Sequence, residues 1–318
     1  MALAERGNLT GAQNIEFPDW KKDSFLDIQE DVAEALESNK HVILYFHLAG
    51  CPYCTVMMRE SFTESPYVEY LKQNFDLIEL DVKGGREVAM DENTNISEGK
   101  LARKLKVFST PTVLFLDQSG KIKLRLDGYR SQEDFKQALD FVKNKEYAKI
   151  SFAKYLPSKR QARVYELIDN KHFIKTADLS SLGDRPVALL FEDTACVLCK
   201  EFHKKILQDK KIDKVLAGLD IVRLDVNSDK ELIDFAGNKT TALELSEKYN
   251  MTYRPGLVFF NKGQEVARIG GMLKNFHNWI MFRYVAEAHF IQHPSWLDFL
   301  NAEQERILAS GKDIDIWQ

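Results

Sequence analysis

The chain carries the same pattern twice. Cys51 and Cys196 lie 145 residues apart, and Asp81 and Asp225, Pro111 and Pro255, and Phe152 and Trp296 lie 144 apart. The segments around these markers match in type. Leu77-Ile-Glu-Leu-Asp-Val82 resembles Ile221-Val-Arg-Leu-Asp-Val226, and Thr110-Pro-Thr-Val-Leu-Phe-Leu116 resembles Arg254-Pro-Gly-Leu-Val-Phe-Phe260. Ser151-Phe-Ala-Lys-Tyr-Leu156 likewise resembles Ser295-Trp-Leu-Asp-Phe-Leu300. A period this long is one domain duplicated, not a solenoid of small units. Each half must therefore build its own core by one shared plan, and 318 residues suffice for two domains of roughly 100–200 residues each. We expect a first domain over residues 15–160 and a second over 161–318. The junction should lie near 157–165, where Pro157-Ser-Lys-Arg160 is polar and no low-complexity linker intervenes.

Within each copy the periodicity predicts one order of elements. An amphipathic helix comes first, at about 23–39 in copy one. An apolar run follows, Val42-Ile-Leu-Tyr-Phe46 or Val187-Ala-Leu-Leu-Phe191. Such a run, bounded by turn residues, fits a buried central strand. A helix should start at the cysteine pair, followed by a second strand (77–82, 221–226), a polar stretch and a helix (97–105, 241–249). A proline then opens a third strand (112–116, 256–260), a turn leads to a fourth (121–126, 264–269), and a helix closes the copy (131–143, 275–288). The βαβ-then-ββα order implies an α/β fold with a four-stranded mixed sheet in each copy and helices on both faces.

Apolar residues at 44% and charged residues at 29% exclude a disordered or fibrous chain. Acidic residues (48) exceed basic ones (44), a formal charge of −4, which argues against a nucleic-acid partner. No apolar run approaches the roughly 18 residues a bilayer span requires. The opening Met-Ala-Leu-Ala-Glu-Arg-Gly has no apolar core of a signal peptide. A cytoplasmic protein and an exported one lacking its leader both remain open on that ground.

All four cysteines fall into two pairs, Cys51-Pro-Tyr-Cys54 and Cys196-Val-Leu-Cys199. A disulfide-stapled secreted scaffold would scatter more cysteines through a smaller chain. Here the first cysteine of each pair sits where a strand ends and a helix begins. Unpaired N–H groups and the partial positive charge of a helix N-terminus stabilise a thiolate there. Two intervening residues bring the second sulfur within disulfide reach. The first cysteine should attack a partner disulfide and the second, more buried, resolve the mixed disulfide. This exchange requires no cofactor. Pro111 and Pro255 open apolar strands, where proline is unusual, and a cis bond would explain them. Such a bond would bring the backbone of Thr110 or Arg254 beside the cysteines, where it can pair with a substrate chain as a short strand.

Strand, C-x-x-C at a helix start, helix, and Thr110-Pro111 before a strand resemble the thioredoxin superfamily. Within it, Ser97-Glu-Gly-Lys-Leu-Ala-Arg-Lys-Leu-Lys-Val-Phe-Ser-Thr-Pro-Thr-Val-Leu-Phe-Leu-Asp117 is similar to the periplasmic SoxW-like and thioredoxin-related branch, as is Glu265-Val-Ala-Arg-Ile-Gly-Gly271 with Phe276 and Arg283-Tyr-Val285. The resemblance implies two tandem thioredoxin-like domains, protein disulfides or dithiols as substrates, a membrane electron donor of the DsbD or CcdA type, and a periplasmic location, with a cytoplasmic one as the alternative. The chain departs from the common pattern in three places. The Asp usual six residues before the first cysteine is Tyr45 in copy one and Leu190 in copy two. Four residues before it stand His47 and Glu192, candidates for shuttling a proton or for plain polar residues at a strand end. In copy two, Val197-Leu198 is apolar, and Arg254 replaces the common Thr or Val, where it would stabilise a nearby thiolate or obstruct a substrate.

Two rival functions use the same residues. In one, the folds serve as a protein-binding adaptor or chaperone and the disulfides only staple. In the other, Cys196, Cys199 and His203, with i, i+4 spacing between the last two, bind metal. A closed zinc site wants a fourth ligand, and none is near in sequence, so we assign no metal and read His203 as a solvated helix residue. Met57 and Met58 read as core filler. Gly84-Gly85-Arg86 reads as a turn, not a phosphate loop, and Trp20, Trp279 and Trp296 as packing residues. Lys204, Lys205, Lys210 and Lys211 read as a solvated surface.

Overall fold

A computed structural model of the chain describes residues 5–91, 94–156 and 165–317. They form two compact units: Ala12–Tyr155, and Leu156–Gln318 joined by the N-terminal residues up to Gly11. The expected junction at 157–165 lies outside the described residues except for Tyr165. Residues Leu9–Thr10 pair in parallel with Ile314–Asp315, which ties the start of the chain to the second unit.

Each unit holds a four-stranded sheet of the expected order. In the first, Phe75–Asp81, His41–His47, Thr112–Leu116 and Ile122–Asp127 lie side by side. The first two are parallel and the others antiparallel. In the second, Asp220–Asp225, Val187–Glu192, Gly256–Asn261 and Gln264–Ile269 repeat that order and direction. The central strand of each sheet is covered on both faces, so Val42 to Phe46 and Val187 to Glu192 are all buried. Continuous burial, not alternation, explains the unbroken apolar runs. Aromatic rings fill the first core: Phe62 packs on Phe135 with centroids 4.9 Å apart and edge-on against Tyr45 at 5.4 Å.

The structure corrects the expected elements at three places. The opening helix of copy one spans Ile28–Glu37, shorter than 23–39, because the Asp27 carboxylate accepts the N–H groups of Gln29 and Glu30 and so fixes the start. In copy two the described residues before Val187 form no such helix. The Thr176 hydroxyl and the Asp178 carboxylate there accept the backbone N–H groups of Asp178 and Ser180, and Gly183 and Pro186 follow, a composition that favours turns over helix. The polar stretches hold small hairpins, Glu87–Asp91 with Thr94–Ser97 and Leu232–Ile233 with Lys239–Thr240. No described helix is long and apolar enough to cross a membrane.

Candidate functional site

The helix Pro52–Met57 begins on Cys51, whose extended backbone and side chain make it the N-cap. Cys51 Sγ accepts the backbone N–H of Cys54 at 3.2 Å. The two cysteines are disulfide-bonded with Cα atoms 5.4 Å apart. Cys51 is 7% exposed and Cys54 fully buried, so the first sulfur is the more accessible of the two. A π-helical turn, Met58–Thr63, continues the helix, and Met57 and Met58 are core residues. π turns interrupting α-helices are frequent at functional sites.

The Thr110–Pro111 bond is cis. Thr110 meets Cys51 twice: its carbonyl oxygen lies 3.6 Å from Sγ, and its hydroxyl points a donor at the same sulfur from 3.4 Å. The structure thus brings Cys51, Cys54, Thr110 and Pro111 together. Tyr45 stands where the usual Asp would be, and its hydroxyl donates to the Cys54 carbonyl at 2.9 Å. Burial pushes the Tyr45 phenol well above its ordinary pKa, so it remains a donor. His47 turns to Glu79 at 2.9 Å, and Glu79 also pairs with Arg86 at 2.9 Å. Burial opposes ionisation of Glu79, but the hydrogen bonds from His47 and Arg86 outweigh it and hold the carboxyl below its usual range. Gly84-Gly85-Arg86 forms the loop beneath, where Arg86 also reaches the buried Glu98 at 2.6 Å.

The second site repeats this backbone. Cys196 N-caps the helix Val197–Glu201 and its Sγ accepts the Cys199 N–H at 2.9 Å. This pair is also disulfide-bonded, with Cα atoms 5.3 Å apart, and the Arg254–Pro255 bond is cis. Its side chains differ. The Arg254 guanidinium folds back onto the carbonyls of Met251 and Tyr253, at 2.7 and 2.8 Å. Val197 and Leu198 are exposed, and an apolar cleft opens beside Leu198, Phe202, Tyr253, Pro255 and Met272.

Beneath this pair lies a buried polar cluster that sequence reasoning saw only in part. Glu192, fully buried, accepts from the Tyr165 hydroxyl at 3.1 Å and pairs with His203 Nε2 at 2.7 Å. Arg223 approaches its other oxygen at 3.7 Å. Tyr165 packs in one apolar cluster with Cys196 and Cys199. His203 is therefore not the solvated residue expected: it sits in the π turn Phe202–Ile206 and is 1% exposed. Its four-residue spacing from Cys199 was the available signal. That spacing points to a shared helix face, and the face meets the strand end carrying Glu192. Among the described residues no three His, Cys, Asp or Glu side chains are grouped to hold a metal ion.

A family model described as "Thioredoxin-like domain" matches residues 28–143 and again 175–286. No curated protein matches the chain. Among solved structures, a thioredoxin-fold protein from Helicobacter pylori shares 23% identity over 41% of this chain and 92% of its own, with a TM-score of 0.34. A thioredoxin from Thermus thermophilus shares 28% identity over 36% and 83%, with a TM-score of 0.29. The oxidised C-terminal domain of DsbD from Neisseria meningitidis shares 19% over 36% and 92%, with a TM-score of 0.27. Two family matches that together span well over half the chain, one on each sheet and each enclosing a C-x-x-C pair, make this a member of the thioredoxin-like domain family with two tandem copies of the domain.

Proposed function

We propose that the protein is a thiol:disulfide oxidoreductase acting on protein disulfides or dithiols, with Cys51 as nucleophile and Cys54 as resolving thiol. The observation that carries this reading is the convergence on one sulfur. Cys51 Sγ caps a helix, accepts the Cys54 N–H, and faces both the hydroxyl and the carbonyl of Thr110. Donors aimed at a sulfur favour its charged form, and the thiolate is the reactive species. The Cys51 thiolate attacks one sulfur of a substrate disulfide and releases the other as a thiolate. Cys54, deprotonated, then attacks Cys51 Sγ and releases the second substrate thiolate. Two electrons reach the substrate and the Cys51–Cys54 disulfide remains; the reverse sequence oxidises a dithiol. Thr110 and Pro111 form the wall against which an extended substrate segment lies, its backbone pairing with this loop.

Cys196, Cys199, Arg254 and Pro255 form a second site of the same kind, with an apolar approach through Leu198, Tyr253 and Met272. His47 in copy one and Glu192 in copy two are the candidate proton-handling positions. The domain limits 15–160 and 161–318, a DsbD- or CcdA-type electron donor and a periplasmic location belong to the same reading.

The test is a redox titration of wild type, Cys54→Ser and Cys199→Ser against a glutathione buffer. Wild type should titrate as two two-electron couples, and Cys54→Ser should accumulate a mixed disulfide on Cys51. A Cys51–Cys54 pair that does not cycle refutes the enzymatic reading and leaves a stapled binding domain.

A further inference from the structure

We propose that Glu192, His203 and Tyr165 form the proton-handling unit of the second cysteine pair, with Glu192 taking the Cys199 proton. This rests on the reading of that pair as redox-active.

Three observations place the unit. First, side chains alternate along the strand Val187–Glu192. Ala188 and Leu190 share one core cluster with Phe202 and Ile206 of the cysteine-bearing helical run. Glu192, two residues further, continues that face at the strand end nearest the cysteines. Second, Cys199 and His203 are four residues apart on the same helical run, and His203 Nε2 meets Glu192 at 2.7 Å. Third, Tyr165 connects the carboxylate to the sulfurs: its ring packs with Cys196 and Cys199, and its hydroxyl donates to Glu192. Burial first, and then the charge of Glu192, push the Tyr165 phenol far above its ordinary range, so Tyr165 donates and does not compete for the proton.

A buried carboxylate is costly unless its oxygens are satisfied. Here Glu192 Oε1 and His203 Nδ1 are both buried without a hydrogen-bond partner. The charged neighbour of Glu192 Oε1 is Arg223, at 3.7 Å, so that oxygen keeps a lone pair for an incoming proton. The other charged groups around Glu192 are Arg223 and Asp225 on the neighbouring strand and Asp193 next in the chain.

The step balances as follows. In the mixed disulfide between Cys196 and a substrate sulfur, Cys199 Sγ–H gives its proton to the Glu192 carboxylate. The freed electron pair forms the Cys199–Cys196 bond while the bond from Cys196 to the substrate sulfur breaks. The substrate leaves as a thiolate and takes a proton from water. His203 and Tyr165 act through Glu192 and are positioning residues.

The experiment uses the full chain with Cys51→Ser and Cys54→Ser, reduced and mixed with the aromatic disulfide 5,5′-dithiobis(2-nitrobenzoate). The first thiol released reports attack by Cys196, and the second reports ring closure by Cys199. Glu192→Gln should slow the second release by about a hundredfold near neutral pH, within the usual range for a positioned base. It should leave the first release nearly unchanged, and the deficit should shrink as pH rises and the thiol ionises unaided. His203→Gln and Tyr165→Phe should shift the pH midpoint of the second phase. These two also carry the test if Glu192→Gln does not fold. A second phase whose rate and pH profile are unchanged in the folded variants overturns the proposal. Absence of the first release in the Cys51→Ser, Cys54→Ser protein instead refutes redox activity at this pair, and the proposal falls with it.

Discussion

Replacing Thr110 by Val removes one hydroxyl and nearly nothing else, because the two side chains have almost the same shape. The hydroxyl lost is the one 3.4 Å from Cys51 Sγ, while the Cys54 N–H remains at 3.2 Å. A hydrogen bond to a charged group contributes about 1.5–3 kcal/mol. A sulfur acceptor that keeps a second donor belongs at the lower end, near ~1.5 kcal/mol. At 1.36 kcal/mol per pKa unit, the Cys51 thiol should rise by about one unit. The reduced form loses that stabilisation, so the Cys51–Cys54 couple should become more reducing by roughly 30 mV. The assay is the ultraviolet absorbance of the thiolate against pH in a Cys54→Ser background, with the potential measured separately against glutathione. Thr110→Ser restores the donor and should restore the pKa. A pKa that is the same in Val, Ser and wild type would show that Thr110 meets the disulfide but does not stabilise the thiolate. The helix cap alone would then have to account for any reactivity of Cys51.

Arg254→Thr should raise the pKa of the Cys196 thiol if the guanidinium favours the thiolate; an unchanged thiol pKa would confine Arg254 to its carbonyl contacts with Met251 and Tyr253. Phe62 is fully buried against Tyr45, Phe135 and Trp20, so Phe62→Ala should cost ~3–5 kcal/mol in denaturant unfolding. A loss below ~1 kcal/mol would mean that the aromatic core repacks around the gap. Burial pushes His277 down from 6.5 to about 4, so the folded chain holds it neutral where the unfolded chain binds a proton. Stability should therefore decline as pH falls below 6.5 and level off near 4, by ~3 kcal/mol at most. His277→Gln should flatten that part of the melting-temperature profile, and an unchanged slope would exclude His277 as its source.

Both sheets could be read from the sequence because their central strands are unbroken apolar runs placed just before the cysteines. Pro111 and Pro255 were legible for a different reason, since a proline opening a buried strand needs a special backbone, and both bonds are cis. What stayed hidden depends on contacts distant in sequence. Tyr165 is 27 residues from the Glu192 it bonds, and no local periodicity marks that pairing. The spacing of four puts His203 on the face of Cys199, but its partner Glu192 lies on the preceding strand, and nothing local in the sequence marks that contact. The opening helix of copy two, absent among the described residues, is a case where duplication misled. The repeat predicted an element that Gly183, Pro186 and the Asp and Ser turn residues no longer support.

The two copies retain what the backbone supplies and exchange what the side chains supply. Each has a sulfur at a helix cap, a cis proline opposite, and the same strand register, with Tyr45 beside Glu79 and Leu190 beside Arg223. The charged residues on this register are reversed. Copy one pairs the basic ring of His47 with the carboxylate of Glu79, while copy two sets the carboxylate of Glu192 near the guanidinium of Arg223. The exchange keeps one basic and one acidic partner at the strand end but changes which of them lies four residues before the first cysteine. In the proposed reading, backbone donors favour ionisation of the first cysteine, and the side chain four residues before it receives the second cysteine's proton. Selection acting on those two functions separately would leave this pattern, with one frame held constant and the polar residues beneath it free to diverge.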